Sequence, residues 1–401
     1  MTVTDYQVLQ RDADDKARVT LDSGETVELP TGGPYEVGAA KNVLVGDLWI
    51  LAGQSNMEGS ANLVDVETPH PLVHSFQSRE EWMPAEEPLH WLGESPHEVH
   101  HAIWGMTKPE TIPPRDPNRS KGAGLGLTFA KEMVAANGVP IGLIPAAHGG
   151  TSMQQWDPAL RDLGGESLYG AAVARFRVTG GKVAGILWYQ GETDANPGDA
   201  AAYSRRMTTL VQSFRADFGE SELPFYLVQL GGFVTDPAQD MLTGWNGVRE
   251  TQRTFPETLA NVGVVSAIDL GLDDGIHIDT EGLKTLGKRL AAVAQGAPAP
   301  ALKSAAFEAE KGWLRVSFDH VTGGLRAAGR PTGFSLRDAD GRELPLIFKV
   351  VLDGSDALLK ITEPNLLRRA NLWYGWGLAP YVNLTDATGA AVPAFGPVRI
   401  S

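Results

Sequence analysis

The 401-residue chain contains no cysteine. That removes disulfides, thiolate metal sites and cysteine nucleophiles together, and it leaves the redox compartment open. Positive charge is also short: 34 Lys and Arg stand against 49 Asp and Glu, a formal net charge of -15. This argues against nucleic acid or an anionic membrane as a main partner. No run approaches the ~18 apolar residues that a membrane span needs. The opening stretch, "MTVTDYQVLQRDADDKARV", lacks both the basic and the apolar region of a secretory signal. A cytoplasmic location is favoured on that ground, with a secreted chain whose signal has been removed as the alternative.

What is present is an ordinary globular composition, 42% hydrophobic and 21% charged, at a length that accommodates two or three domains. Residues 1–45 alternate polar and apolar in short stretches between "DSGE" and "PTGGP", which reads as an N-terminal segment of antiparallel strands. From 43 onward the pattern changes. Apolar runs at 43–52, 139–146, 183–190, 224–230 and 262–270 alternate with helical patterns near 123–136, 200–218, 247–254 and 281–295. Such alternation predicts an α/β domain over 46–298, a parallel sheet covered by helices on both faces. "QGAPAPALKS" breaks the last helix, and 299–401 reads as a C-terminal β domain that packs with the N-terminal strands as an accessory module. Residues 60–121 are a long insertion rich in Pro and His with weak periodicity, expected to be a functional loop or lid.

In open α/β sheets, ligands bind beyond the carboxyl ends of the strands. Four polar, glycine-marked stretches follow strand candidates: "GQSNMEG" (53–59), "HGGTSMQQW" (148–156), "YQGETD" (189–194) and "LDDGIHID" (272–279). A serine hydrolase needs a nucleophile, a general base and a group that holds the base in its tautomer. Ser55 is the candidate nucleophile and His277 the candidate base. Asp274, three residues before His277, is the candidate acid, with Asp273 as the alternative. A developing oxyanion needs preorganised donors. The Ser55 N–H, a glycine N–H from Gly149-Gly150, and a side-chain amide from Gln190 or Asn56 are the candidates. Each residue alone has a plainer role: turn, loop or, for Glu192 and Asp194, a helix cap. Their recurrence after successive strands is what points to chemistry.

Together these stretches resemble the blocks of the SGNH (GDSL-like) hydrolase superfamily, and more closely the sialate O-acetylesterase-type carbohydrate esterases. "VLVGDLWILAGQSNMEG", "VPIGLIPAAHGGTSMQQW", "ILWYQGETDA", "LPFYLVQLGGF", "WNGVRETQ" and the C-terminal "LWYGWGLAPYVNLTDATGAAVPAF" carry the likeness, with "GQSNM" and "WYQGE" the specific pair. The resemblance implies a three-layer α/β/α core, removal of O-acetyl groups from sugars, and neither metal nor other cofactor. It gives Ser55, His277 and Asp274 the triad roles and Gly150 and Gln190 the oxyanion hole. Gln54, Asn56, Trp156 and Glu192 are then expected to contact substrate, an acetylated carbohydrate. Sialic acid, xylan and xyloglucan esters all remain open. Two features depart from the family: "DGIHID" replaces the "IHP" of many relatives, and His148 stands where a small or aromatic residue is expected.

A different chemistry is encoded formally by "HEVHH" (97–101), which matches the H-E-x-x-H of zinc proteases. Pro96 precedes it and no long amphipathic helix surrounds it, so the expectation is a histidine-rich lid comprising His70, His74, His90, His97, His100 and His101. A non-catalytic carbohydrate-binding protein on the same fold is the other alternative. Trp91, Trp104, Trp188 and Tyr189 are further aromatic candidates for stacking on a sugar. Arg249 is read as a supporting rather than catalytic residue.

Overall fold

In the computed structural model, which describes residues 3–21, 23–236 and 239–401, residues 43–53 are buried without interruption. They form most of a 14-residue strand, β1 (Ala40–Gly53). It is followed by β2 (Val73–Phe76), β3 (Trp82–Pro84), β4 (Ile141–Pro145) and β5 (Gly185–Tyr189). These lie side by side in the order β5-β1-β4-β2-β3. The registers place Pro145 opposite Leu51 and Tyr189 opposite Gly53, all three strands parallel. Every residue of β4 and β5 is buried, as expected of strands covered on both faces. Parallel pairing sends the chain out of β1, β4 and β5 at one edge, and that edge receives "GQSN", "HGG" and "YQGE".

The helices are α1 (Ser55–Glu58), α2 (Gly126–Asn137), α3 (Leu168–Val178), α4 (Pro197–Phe218), α5 (Gln239–Thr254) and α6 (Thr280–Ala294). Helix α2 ends at Gly138, whose φ of 72° and N–H bond to the Val134 carbonyl form a left-handed cap. Helix α3 is absent from the sequence reading for a physical reason. It is buried nearly all round, Arg175 included, so it shows no polar face for periodicity to detect. Ser167 caps it by accepting the Gly170 N–H at 3.1 Å.

The insertion differs from the loop expected of it. It contributes β2 and β3 to the sheet edge, β2 parallel to β4 and β3 antiparallel to β2. Strands of four and three residues are too short to leave a period. Arg175 on α3 secures their turn, donating to the carbonyls of Phe76, Gln77 and Ser78. Burial draws its guanidinium down to about 10, so it stays charged at neutral pH. In the N-terminal segment, Lys16–Thr20 and Thr26–Pro30 make an antiparallel hairpin and Gly32–Val37 runs antiparallel to β1. Val8–Gln10, in contrast, pairs parallel to the start of β1.

Contacts divide the chain into two units. One comprises Met1–Thr193, Arg205–Tyr226 and His277–Ala291; the other comprises Asp194–Ser204, Leu227–Ile276 and Ala292–Ser401. The strand β6 (Phe225–Gln229) begins in the first, where the Ile186 N–H donates to the Pro224 carbonyl at 3.0 Å. It ends in the second, where Gln229 accepts from Ala267 beyond β7 (Val262–Ser266). That second unit also holds two four-stranded antiparallel sheets. One is built on Ala301–Glu308, Trp313–Asp319, Asp356–Ile361 and Ile347–Asp353, the other on Glu343–Leu344, Phe334–Arg337, Asn371–Tyr374 and Phe395–Arg399. Alternate residues of Trp313–Asp319 and Asp356–Ile361 are buried in a core of Leu314, Val316, Phe318, Leu336, Leu359 and Leu372. Among the described residues no helix is long and apolar enough to cross a membrane.

Candidate active site

The turn out of β1 is possible only for glycine. Gly53 has a φ of 134°, and a Cβ there would sit 2.2 Å from the Tyr189 carbonyl oxygen. The close approach lets the Gln54 N–H reach that same carbonyl at 2.8 Å. The chain then turns at once into α1, so that Ser55 occupies the first helical position. Its hydroxyl lies 2.9 Å from Nε2 of His277. A nucleophile within hydrogen-bond reach of a general base is the minimal arrangement for acyl transfer. His277 stands three residues before α6, and the loop carrying it is tied to the nucleophile: the Ile278 N–H donates to Asn56 Oδ1 at 3.0 Å. Asn56 in turn donates to Glu192 Oε1 at 2.7 Å. Gln54 is buried, and the amide orientation that satisfies its neighbours sets its nitrogen 3.2 Å from Glu192 Oε2 and 3.3 Å from the Thr151 carbonyl. Three of the residues expected to touch substrate, Gln54, Asn56 and Glu192, are thus joined to one another around Ser55.

The loop after β4 packs against the serine. At Gly149 a Cβ would lie 3.4 Å from Ser55 Cβ and 3.1 Å from Glu58 Oε2. His148 donates its N–H to the Gly53 carbonyl at 3.1 Å, and Thr151 Oγ1 donates back to the His148 carbonyl at 2.8 Å. The Gly149 N–H goes to Glu58 Oε2 at 2.7 Å. Gly150 follows in the left-handed region at φ 70°, exposed. Gln190 is fully buried and donates to the Thr151 carbonyl at 3.1 Å.

Trp156 does not face a ligand. It is completely buried, its Nε1 donating to Thr151 Oγ1 at 3.1 Å and its ring set edge-on against Trp188 at 5.2 Å. The expectation of a substrate contact is corrected on that ground: its surface is spent on the loop it supports. Trp188 and Tyr189 are likewise core residues. Trp91 lies between the guanidinium groups of Arg115 and Arg119, at 4.6 and 4.7 Å. Trp104 is 47% exposed and rests on His148 at 5.1 Å. Asp273 and Asp274 belong to the second unit, Asp274 exposed and accepting the Ile276 N–H at 2.9 Å. Arg249, in that unit too, donates to the backbone carbonyls of Leu230, Gly231, Gly377 and Leu378. That is the supporting role read from the sequence.

The histidines of "HEVHH" turn to separate partners. His97 Nε2 meets Glu80 at 2.9 Å, His101 Nε2 meets the Ser95 carbonyl at 3.0 Å, and His100 Nδ1 meets His148 Nδ1 at 2.9 Å. Two zinc ligands one helical turn apart would have to converge. Among the described residues, no cluster of His, Cys, Asp and Glu has the arrangement of a metal site. Burial depresses His100 well below its usual value and takes His148 down to about 4 and His90 to about 3. At neutral pH these three rings are uncharged. The stacked His100–His148 pair and the Glu58 carboxyl were not assigned by sequence. Only the position of Glu58, one turn after Ser55 on α1, hints at a role.

With this geometry in view, comparison with known proteins is specific. Residues 45–295 match the family model described as carbohydrate esterase, sialic acid-specific acetylesterase. The chain belongs to that family. The esterase is 28% identical to a probable carbohydrate esterase of Arabidopsis thaliana over 270 residues, 61% of this chain and 88% of the relative. It is 24% identical to the human sialate O-acetylesterase over 263 residues, which spans 53% of this chain but only 47% of the human protein. A solved carbohydrate acetylesterase from Xanthomonas citri superposes with a TM-score of 0.69 at 26% identity, covering 98% of this esterase and 97% of the other chain. The α/β fold with additional C-terminal β sheets is therefore common to both, and the esterase is a hydrolase of SGNH type.

Proposed function

We propose that the esterase removes O-acetyl groups from carbohydrate hydroxyls by a serine mechanism. The observation that carries the reading is the 2.9 Å contact between Ser55 Oγ and His277 Nε2, with the Gly149 backbone packed on the serine. His277 accepts the Ser55 proton as Oγ attacks the acetyl carbonyl. Negative charge that forms on the carbonyl oxygen is met by the N–H groups of Ser55 and Gly150, which are fixed before the reaction begins. Gln190, whose amide also donates to the Thr151 carbonyl, is the third donor in this reading. The imidazolium then protonates the departing sugar oxygen, leaving an acetyl-enzyme. Water activated by the same ring attacks it, acetate leaves, and Ser55 recovers its proton. Asp274 is the acid that orients His277 in this reading, with Asp273 the alternative.

The residues that meet around Ser55, Asn56, Glu192, Gly149 and His277, are polar or glycine, which supports a small acyl group, and the half-exposed Trp104 ring offers a face for a pyranose. Acetate release from acetylated sialic acid, xylan and xyloglucan, measured side by side, tests the substrate class. Ser55→Ala and His277→Ala should each lower kcat roughly 100- to 10,000-fold. Asp274→Asn and Asp273→Asn separate the two acids, the crippling change marking the one that serves. Full turnover by Ser55→Ala would remove the serine mechanism.

A further inference from the structure

Glu58 is a half-buried carboxyl beside the nucleophile to which the serine mechanism gives no task. It closes the four-residue helix that Ser55 opens, one turn further on and on the same side. Its Oε2 accepts the Gly149 N–H at 2.7 Å, the length of a charge-assisted bond. That bond has two consequences for the loop. It consumes the Gly149 N–H, which therefore is not available to an oxyanion. It also fixes the His148–Gly149 peptide plane, one peptide before that of the Gly150 N–H, which makes no hydrogen bond among the described residues. Gly149 has no side chain to interpose: a Cβ would press on Glu58 Oε2 at 3.1 Å and touch Ser55 Cβ at 3.4 Å. The loop is thus held upstream by Gly53, from the side by Glu58 and downstream by Thr151. One donor, the Gly150 N–H, is left over, one residue on from the glycine that packs on the serine.

We propose that Glu58 is a positioning residue, whose carboxylate grips the Gly149 N–H and thereby turns the neighbouring Gly150 N–H towards the oxygen of an acyl group bound at Ser55. The inference rests on the serine reading above. The groups facing the carboxyl are Arg119 from the insertion, His277 from the loop before α6, and the Gly149 N–H, while His90 lies against the Glu58 backbone. Glu87 also feels the charge of Arg119. Burial pushes Glu58 up to about 7, against the pull of the Gly149 N–H, Arg119 and His277. The grip is therefore that of an anion above this pH and of a neutral acid below it, and the donor geometry tightens as pH rises through 7.

Removing one oxyanion donor costs enzymes roughly 100- to 1,000-fold in kcat. Loosening one without removing it should cost less. Glu58→Ala is expected to lower kcat on 4-nitrophenyl acetate by roughly 10- to 100-fold while KM stays within about 3-fold. Glu58→Gln keeps an acceptor for Gly149 but cannot ionise. It should restore kcat at pH 8 to within about 5-fold of the parent and lose the part of the rise in kcat near pH 7 that Glu58 ionisation contributes. Ser55→Ala, assayed alongside, separates the two claims: if it is inactive, the serine reading stands whatever Glu58 does. A folded Glu58→Ala enzyme with parental kcat overturns the inference. So does a Glu58→Gln enzyme whose pH profile superposes on the parent's, which also decides the matter if the alanine variant does not fold.

Discussion

Asn56 is the point at which stability and catalysis are most tightly joined. Its side chain bridges the Glu192 carboxylate, at 2.7 Å, and the Ile278 N–H, at 3.0 Å, and is itself 1% exposed. Asn56→Ala removes both bonds. The Ile278 N–H is then left buried without its acceptor, a cost of about 1–3 kcal/mol, and the charge-assisted bond to Glu192 adds to it, so a total near 2–4 kcal/mol is expected. The catalytic effect follows from position, because Ile278 is the residue after His277. A shift of the imidazole by about 1 Å from Ser55 is worth on the order of 100-fold in rate. Melting temperature and kcat on 4-nitrophenyl acetate should therefore fall together. Asn56→Asp gives a sharper reading. It retains an acceptor for Ile278 but sets a second carboxylate against Glu192, so its deficit should shrink at acid pH, where one proton serves both. Parental melting and kcat in Asn56→Ala would refute the idea that this amide holds the histidine loop to the nucleophile.

Three further expectations have different causes. Burial pushes the Glu87 carboxyl up to about 7 from 4.5, so between those values the folded chain holds a proton that the unfolded chain releases. Stability is lost as pH rises through 7, and Glu87→Gln should gain on the parent between pH 5 and pH 8 by as much as ~3 kcal/mol, read by urea denaturation at both; a constant difference would mean the carboxyl is ionised throughout. Gly53→Ala puts a Cβ 2.2 Å from the Tyr189 carbonyl at a φ of 134° and should cost roughly 3 kcal/mol or more, with loss of turnover; an unchanged melting curve contradicts the close approach. Dialysis against EDTA should leave turnover intact, since the proposed oxyanion donors are N–H groups. Loss restored by zinc and insensitive to Ser55→Ala would instead move the chemistry to a metal.

The strands of the α/β core were legible because burial on both faces writes them as unbroken apolar runs, and the polar stretches following β1, β4 and β5 mark the edge where they meet. Ser55 and His277 were legible for the same reason, each placed by the element it borders. Trp156 was misread because an aromatic next to a motif looks the same whether its ring faces a ligand or, as here, Trp188 and Thr151. Glu58 was overlooked because its meaning depends on where Gly149 returns in space, 91 residues along the chain. β2 and β3 were hidden by their brevity, and α3 by the absence of a wet face.

The central place of β1 also sets the order in which activity can arise during synthesis. Its first residues find Val8–Gln10 and Gly32–Val37 early, but its last ones wait for β4 and β5, which the ribosome delivers about a hundred and more residues later. Until both have docked, the run from Val43 to Gly53 is an exposed apolar segment with unpaired backbone on two sides, a template for mispairing between nascent chains. The Gly53 turn has no Tyr189 carbonyl to approach in that interval, and Ser55 is an ordinary hydroxyl. A nascent chain released before residue 190 should be inactive and prone to aggregate, whereas one that completes β5 closes the Gly53 turn, and Ser55 gains its base once His277 follows.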